Sequence, residues 1–497
     1  MKIIAWLGWS PAEVLRIGRA ACPAACFVFI MSDYSCDALI IGSGQAGNPL
    51  AKALAEAGQK VILVEEAQVG GSCLNYGCVP TKTLVASATR AHQARTAAEL
   101  GVRITGEVAV DMAAVMARKN RLLDQSRRNL ADSLNHDFKN LTLVRGHATF
   151  TGPHTVQVQE TKNKTSEITA KKIFVNTGTH VAVPDVLGLA EAGFLNTTEI
   201  LDIAEVPEHL LILGGGYIGL EFGQMFLRFG SRVTVIETSG QVLEREDKDV
   251  CDELQQALEA EGMEFVLKGE VHHVSRNADG RYTLSTHTPQ GERRLHGSHL
   301  LVATGRQPNT NRLGLETTGV ELDEKGFIQV NDELQSSVPH IYALGDVHGG
   351  PQFTHISYDD FRVVRNNLLH QGPPRSAKKR PLPYCVFTEP QLARIGLSEE
   401  QAREKKIPYR VSRTPVKKVS RAQQTGETAG CWKILVGDDD QILGAAILGG
   451  EAGEIMTIIQ VAMAGNLPYQ ELEEMVIAHP VWAEGLNVAF RDLKKGK

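Results

Sequence analysis

Two stretches of the chain share one pattern: an apolar strand runs straight into a glycine turn, a helix follows, and the next strand ends on an acidic residue. In the first, residues 34–41 lead into Gly42, Ser43, Gly44, Gln45, Ala46 and Gly47, a helix reaches Ala57, and a second strand covers Val61–Glu65. In the second, His209–Leu213 lead into Gly214, Gly215, Gly216, Tyr217, Ile218 and Gly219, a helix covers 220–229, and Arg232–Glu237 form the next strand. From first glycine to acidic residue the spacing is 23 in both (65 − 42 and 237 − 214). Such glycines let backbone amides approach a pyrophosphate at a helix's positive end, and the acidic residue is placed to accept from a ribose hydroxyl. A lone glycine pattern is weak; flanked by strands and repeated, it predicts two dinucleotide sites in one chain.

Between the two units lies Gly70-Gly71-Ser72-Cys73-Leu74-Asn75-Tyr76-Gly77-Cys78-Val79-Pro80-Thr81-Lys82. Five residues of undistorted helix rise ~7.5 Å, beyond the roughly 4.4–6.8 Å between α-carbons that a disulfide tolerates. If Cys73 and Cys78 bond, the backbone between them must deviate. Gly77 permits that deviation, Pro80 suits the first turn of a helix continuing through Leu84, and the helix's amino end favours thiolate over thiol. This is the chemistry of a redox pair, although the spacing alone only suggests it. The alternatives are half a zinc site or two buried cysteines, and no second C-x-x-C or C-x-x-H offers co-ligands. A redox pair between two dinucleotide units implies an electron relay.

Length allows three or four domains: 497 residues, 42% hydrophobic and 22% charged, describe an ordinary globular chain with ample core. A net charge of −6 argues against nucleic acid as a partner. The basic run Arg118, Lys119, Arg121, Arg127 and Arg128 reads as a solvated helix face. Cys22, Cys26, Cys36, Cys251, Cys385 and Cys431 are scattered, which is no disulfide framework and fits a reducing compartment. Residues 1–30 carry Lys2, Arg16 and Arg19 before an apolar run at 20–30 too short to span a bilayer. Glu13 and the order of charges weaken a cleaved signal, so this stretch reads as an extension outside the fold with Met31 as functional start. No other apolar stretch reaches membrane length, giving a cytoplasmic reading without membrane or nucleic acid.

The remaining segments read as a long helix at 112–134, strands at 141–150, 155–159 and 172–176 ending at Thr177-Gly178, and a polar solvent loop at 161–165. A strand at 300–304 precedes Gly305-Arg306-Gln307-Pro308-Asn309. Another ends in Gly345-Asp346, where Asp346 is either an acceptor for a polyol hydroxyl or a structural turn residue. Residues 375–383, basic and proline-rich, read as a linker. An α+β module follows, with a capping box at Ser398 and Gln401, a hairpin over 431–448 and a helix at 454–464. It closes with His479 and Glu484 across a proline turn, either a structural histidine or an imidazole held by a carboxylate for proton transfer. Glu237 accommodates a free 2′-hydroxyl and would repel a 2′-phosphate, and the next basic residue, Arg245, lies eight positions on, so NADH is expected over NADPH.

Taken in order, Gly42-x-Gly44-x-x-Gly47, the Cys73/Cys78 loop through Lys82, Gly214-x-Gly216-Tyr217-Ile218-Gly219-Leu220-Glu221, Thr304-Gly305-Arg306-x-Pro308-Asn309, Gly345-Asp346 and His479-Pro480-x-x-x-Glu484 make the chain resemble the pyridine nucleotide–disulfide oxidoreductases over residues 33–493. That family includes dihydrolipoamide dehydrogenase, glutathione reductase and mercuric reductase. Residues 44–51, Gln352 to Asp360 and 361–364 look most like its mercuric-reductase-like and reactive-chlorine-resistance members. The resemblance implies an α/β fold of two Rossmann-like domains and a C-terminal α+β dimerisation domain. Its expected divisions are 1–32 extension, 33–184 FAD domain, 185–305 NAD(P) domain, 306–380 central return to the FAD domain, and 381–497 dimerisation domain.

FAD would rest on Gly42, Gly44, Gly47, Glu65, Gly71, Ser72, Lys82, Thr177, Gly178, Gly345 and Asp346, and NAD(H) on Gly214, Gly216, Tyr217, Gly219, Glu237 and Gly305. The resemblance further implies that NADH enters beside a mobile Tyr217 ring and passes a hydride to the flavin. Cys78 would be the charge-transfer thiol and Cys73 the interchange thiol. Lys82 paired with Glu221 would steady the reduced ring, and His479 steered by Glu484 would serve the other subunit of a homodimer. The expected acceptor is a small-molecule or protein disulfide. A mercuric or cupric ion reductase, a dihydrolipoamide dehydrogenase and a noncatalytic flavin-binding protein are the alternatives. The ending Arg491 to Lys497 lacks the vicinal cysteines of mercuric reductases and the chain keeps the His-Glu pair, favouring thiol chemistry; Val481-Trp482 replaces the small residues of dihydrolipoamide dehydrogenase.

Overall fold

The computed structural model describes residues 31–160 and 164–496. The expectations for residues 1–30, and for 161–163 of the polar loop, fall outside the described residues. Lys164 and Thr165, the rest of that loop, belong to the strand Lys164–Val175. The first strand begins at Met31, earlier than residue 34, with Met31 and Ser32 opposite Thr165 and Ser166. Backbone pairing alone accounts for this early start, because a long partner strand extends the ladder past the apolar segment.

The first sheet is built around Met31–Ile41, which lies between Val61–Glu65 and Lys164–Val175 with all three parallel. Ala38, Leu39 and Ile40 are wholly buried, as expected of a parallel strand covered on both faces. Burying each of the two larger side chains contributes roughly 1.5–3 kcal/mol. Ile341–Ala343 joins the same sheet beside Lys164–Val175, so the chain returns to the first unit before residue 346. Leu141–Gly152 and Thr155–Glu160 complete it, the latter antiparallel to both its neighbours. A second parallel sheet has the order His299–Val302, His209–Leu213, Arg232–Glu237, Glu264–Leu267. An antiparallel sheet of Glu270–Arg276, Tyr282–Thr288 and Gly291–Gly297 accompanies it.

The last module is a six-stranded antiparallel sheet in which Cys431–Val436 and Ile442–Gly449 form the hairpin. Helix Ala452–Ala464 buries Ile455, Met456 and Ile459 against it. The capping box forms: Ser398 Oγ accepts from Gln401 N at 2.9 Å, and Gln401 Oε1 accepts from Ser398 N at 3.1 Å.

Two surface assignments fail. Lys119 is only 2% exposed: its ammonium donates to Asp202 Oδ1 at 2.8 Å and to the Leu201 carbonyl. Arg127 donates to Asn75 Oδ1 at 2.7 Å. Arg118 also donates to the Thr83 carbonyl at 2.9 Å, so the basic run ties the helix Met112–His136 to its surroundings at three points. Nor is 375–383 a free linker, because Arg375 reaches Asp359 at 2.6 Å and Arg380 binds Asp360. Those two acids lie on the helix Thr354–Leu369, and spacing along the chain gives no sign of the pairing.

Candidate active site

Both glycine turns are built alike. Gly42 has φ +100°, and a Cβ there would stand 2.3 Å from the Asn176 carbonyl oxygen; Gly214 has φ +105°, with the Ala303 carbonyl oxygen at 2.5 Å. Gly47, the first residue of its helix, and Gly219, the third of its own, lie so close to the carbonyls of Gly42 and Gly214 that a side chain would strike them at 2.2 and 2.1 Å. Only glycine allows strand, turn and helix to pack this tightly. Glu65 Oε2 accepts from Ser43 N at 2.9 Å and Ser43 Oγ at 2.6 Å, and Glu237 Oε2 accepts from Gly215 N at 2.6 Å. Each acidic residue therefore also clamps its own turn, a role that spacing did not disclose.

A cavity of about 920 Å³ runs from the first turn to the cysteines. That is near the upper end of the roughly 300–1,000 Å³ typical of ligand pockets. Gly42, Gly44, Glu65, Gly71, Ser72, Thr177, Gly178 and Asp346 line it, together with Cys73, Cys78, Lys82, Tyr217 and Glu221. Asp346 Oδ2 accepts from Thr179 Oγ1 at 3.1 Å, and burial raises its carboxyl pKa above the usual range. Gly345, at φ +70°, donates its N–H to the buried Asp360 at 2.7 Å. Gly47, Gly214, Gly216, Gly219, Glu237, Gly305 and Gly345 do not line this cavity; Tyr217 and Glu221 reach it from the helix of the second turn.

The cysteines occupy different helices. Gly71–Asn75 ends at Tyr76, Gly77 takes φ −129° and ψ −120°, and Cys78–Thr96 begins immediately after. The chain thus leaves helical geometry where the sequence offers a glycine. Both cysteines are free thiols. The Cys73 thiol donates to the Cys78 sulfur, which pulls the Cys78 pKa down to about 6 against the opposing effect of burial; Thr354, at 3.2 Å, and the Lys82 charge help. Cys73 moves in the opposite direction, because ionising it would break that bond and desolvation adds to the cost. Cys78 is therefore the stable thiolate.

Lys82 is paired with Glu221, which is 4% exposed and whose Oε1 accepts from Phe387 N at 2.8 Å. Lys82 also lies 4.7 Å from the centroid of the Phe387 ring. One carboxylate thus joins the redox helix, the second glycine unit and the entry to the last module. His479 and Glu484 meet as expected, with Nδ1 2.9 Å from Oε2, but the imidazole is 64% exposed and does not line the cavity of its own chain.

Sequence reasoning missed Thr354, Phe353, Tyr384, Phe387 and Asn176, all of which line the cavity, and a third thiol there, Cys385, which burial pushes up to about 12. In the sequence the segment Gln352 to Asp360 stands out only as a likeness, although it carries two of these residues. A flavin dinucleotide fits this arrangement. The cavity is long, has acceptors at Glu65 and Asp346, and meets a glycine turn at one end and a sulfur pair at the other. At Gly178, which lines the cavity, a Cβ would meet nothing within 4 Å, leaving open space where a cofactor backbone would pass.

Two glycine-turn units, a sulfur pair in the cavity of the first and a reach from the second define a flavoprotein disulfide reductase, an oxidoreductase. The chain belongs to the pyridine nucleotide-disulphide oxidoreductase family, matching it over residues 36–360 and its dimerisation domain over 382–490. It is 38% identical over 461 residues to the probable pyridine nucleotide-disulfide oxidoreductase RclA of Escherichia coli, covering 92% of this chain and 99% of that protein. With a mercuric reductase of Staphylococcus aureus it shares 33% identity, covering 97% and 86%. With dihydrolipoyl dehydrogenase 1 of Arabidopsis thaliana the identity is also 33%, covering 97% and 94%. The solved Cu(II) complex of the HOCl-induced flavoprotein disulfide reductase RclA from Escherichia coli superposes with a TM-score of 0.83 at 37% identity, covering 93% of this chain and 99% of that one. Membership implies flavin and pyridine nucleotide use, and the dimerisation domain supports a homodimer. Among the described residues no helix is long and apolar enough to cross a membrane.

Proposed function

We propose that the enzyme takes two electrons from NADH, holds FAD in the 920 Å³ cavity, and delivers the electrons through Cys73 and Cys78 to an external disulfide. The observation that carries this reading is the sulfur pair itself: Cys73 and Cys78 line the cavity from two helices broken at Gly77, with Thr354 3.2 Å from the Cys78 sulfur. FAD, when bound, supplies the two-electron relay between nicotinamide and sulfur. The Gly214–Gly219 turn and Glu237 seat the NADH, and the Gly42–Gly47 turn, Glu65 and Asp346 seat the FAD. Lys82, anchored by Glu221, contributes the positive charge that favours Cys78 thiolate.

Cys73 attacks the external disulfide, forming a mixed disulfide and releasing one substrate thiolate. Cys78 thiolate then attacks Cys73, restoring the Cys73–Cys78 disulfide and releasing the second. His479 of the partner subunit, oriented by Glu484, takes the Cys73 proton and returns it to the leaving sulfur. This accounts for an imidazole that is exposed and does not line the cavity of its own chain. The domain divisions at 33–184, 185–305, 306–380 and 381–497 belong to the same proposal. So does a cytoplasmic setting, in keeping with six described cysteines that are all free.

A second reading makes Cu(II) or Hg(II) the acceptor at the same thiolates, since soft sulfur suits both metals. It is supported by the relatives named as mercuric reductases and by the Cu(II) complex of RclA. One experiment separates the two. NADH oxidation is followed with lipoamide, small disulfides, Cu(II) and Hg(II) in turn. Brisk turnover with a disulfide and none with metal supports the first reading; metal turnover without disulfide turnover replaces it with the second.

A further inference from the structure

Tyr217, the first residue of the helix after the second glycine turn, reaches the cavity with its ring against Phe353, centroids 5.8 Å apart and planes at 39°. Phe353 is itself held by aromatic neighbours. Tyr384 stacks on it at 5.3 Å and 9°, and His355 at 5.4 Å and 14°. His355 Nε2 donates to the Pro383 carbonyl at 2.6 Å, which fixes the imidazole to the residue before Tyr384. Tyr384 opens the strand Tyr384–Val386, hydrogen-bonded into the six-stranded sheet of the dimerisation domain. A chain of contacts therefore runs from that sheet through Tyr384 and Phe353 to the ring of Tyr217.

We propose that Phe353, braced by Tyr384 and His355, is a positioning residue that holds the Tyr217 ring in its closed place, so that the first strand of the dimerisation domain sets how easily nicotinamide enters. The proposal rests on the reading of Tyr217 as the mobile ring at the nucleotide entrance. Offset and near-parallel aromatic contacts of this kind favour one ring arrangement over its alternatives. A ligand that binds only when the ring is open has its apparent affinity reduced by the open fraction. Weakening the brace raises that fraction, so NADH binds more tightly and oxygen reaches the reduced enzyme more readily. Neither Phe353 nor Tyr384 needs to touch the reacting atoms.

The test uses the FAD-loaded full chain and stopped-flow absorbance under anaerobic conditions, with NADH as probe, and then oxygen consumption without a disulfide. Tyr384→Leu removes the ring stacked on Phe353, leaving Phe353 and its neighbour Thr354 unaltered; Tyr384→Phe keeps the ring. The expected result is an NADH Kd lowered roughly two- to tenfold in Tyr384→Leu and Phe353→Leu, with faster oxygen consumption and wild-type values in Tyr384→Phe. Tyr217→Leu is the control for the underlying reading. If it leaves NADH binding and oxygen consumption unchanged, Tyr217 is no gate and that reading fails. If it changes them while flavin-retaining Tyr384→Leu and Phe353→Leu match the wild type or bind NADH more weakly, the brace alone is overturned.

Discussion

The sulfur of Cys78 lies 3.2 Å from the hydroxyl oxygen of Thr354, the first residue of the helix Thr354–Leu369. The thiolate thus receives a hydroxyl from a segment 276 positions away while it also stands at the start of its own helix, Cys78–Thr96. A hydrogen bond to a charged acceptor contributes roughly 1.5–3 kcal/mol, and each pKa unit corresponds to about 1.4 kcal/mol. Thr354→Val is therefore expected to raise the Cys78 pKa from about 6 by about one unit. The sign is fixed: a lost donor disfavours thiolate, so its fraction at pH 7 falls. Titrating the long-wavelength charge-transfer absorbance of the two-electron-reduced enzyme measures the midpoint; an unmoved midpoint would show that the hydroxyl does not hold the anion.

Lys82 and Glu221 offer a second test, because the carboxylate is buried and the ammonium partly exposed. Lys82→Met leaves Glu221 without its cation. Breaking a buried pair costs roughly 3–5 kcal/mol, and solvent at Lys82 reduces that to about 2 kcal/mol here. The single variant is expected to melt several degrees lower and the Lys82→Met/Glu221→Gln double variant to recover part of the loss, a coupling that a thermal-melt double-mutant cycle reads directly. In Lys82→Met the Cys78 midpoint also rises, since the Lys82 charge helps hold it down.

What the sequence disclosed and what it withheld divide along one line. Gly42, Gly214 and Gly77 announce themselves because backbone geometry excludes side chains at the first two and relaxes at the third, and such constraints are local. The Lys82–Glu221 pair came from family likeness alone, since 139 residues separate the partners. Thr354, Phe353 and Tyr384 went unrecognised because hydroxyl and aromatic residues acquire a role only once distant segments meet. Lys119 misled for the same reason: its acceptors, Leu201 and Asp202, lie 82 and 83 positions away. Periodicity gives a helix face but not what covers it.

The proposed preference for NADH turns on Glu237. Its Oε2 accepts from Gly215 N at 2.6 Å and its Oε1 from Ser239 N at 2.8 Å, which places a carboxylate at the end of the strand beside the turn. A 2′-phosphate there meets like charge. The wild type is expected to have a higher kcat/KM with NADH than with NADPH, and Glu237→Ser to narrow the ratio at least tenfold, mostly by lowering KM for NADPH. Steady-state kinetics with both nucleotides checks this; equal efficiencies in the wild type would contradict it. Because the carboxylate also clamps Gly215, a modest loss with NADH accompanies the change.

In the proposed reaction His479 acts in only one half of the catalytic cycle. Its Nδ1 lies 2.9 Å from Glu484 Oε2, so with that nitrogen protonated and donating, Nε2 is left free to exchange a proton with substrate sulfur. The pair stands outside its own chain's cavity, as the proposed role on the disulfide side of the partner subunit requires. His479→Gln should leave NADH-driven flavin reduction, followed by stopped flow, within about twofold of the wild type. The general-base contribution of 10²–10⁴-fold should disappear from turnover with a disulfide. Glu484→Gln, which keeps a hydrogen-bonding group but no charge, should lose less, on the order of tenfold. Mixing His479→Gln with Cys73→Ser subunits gives a further outcome. Each homodimer is inactive with a disulfide, whereas the heterodimer pairs one intact Cys73 with one intact His479 across the interface and should recover about half of wild-type activity per dimer. A mixed dimer as inactive as its parents would mean that His479 serves its own chain.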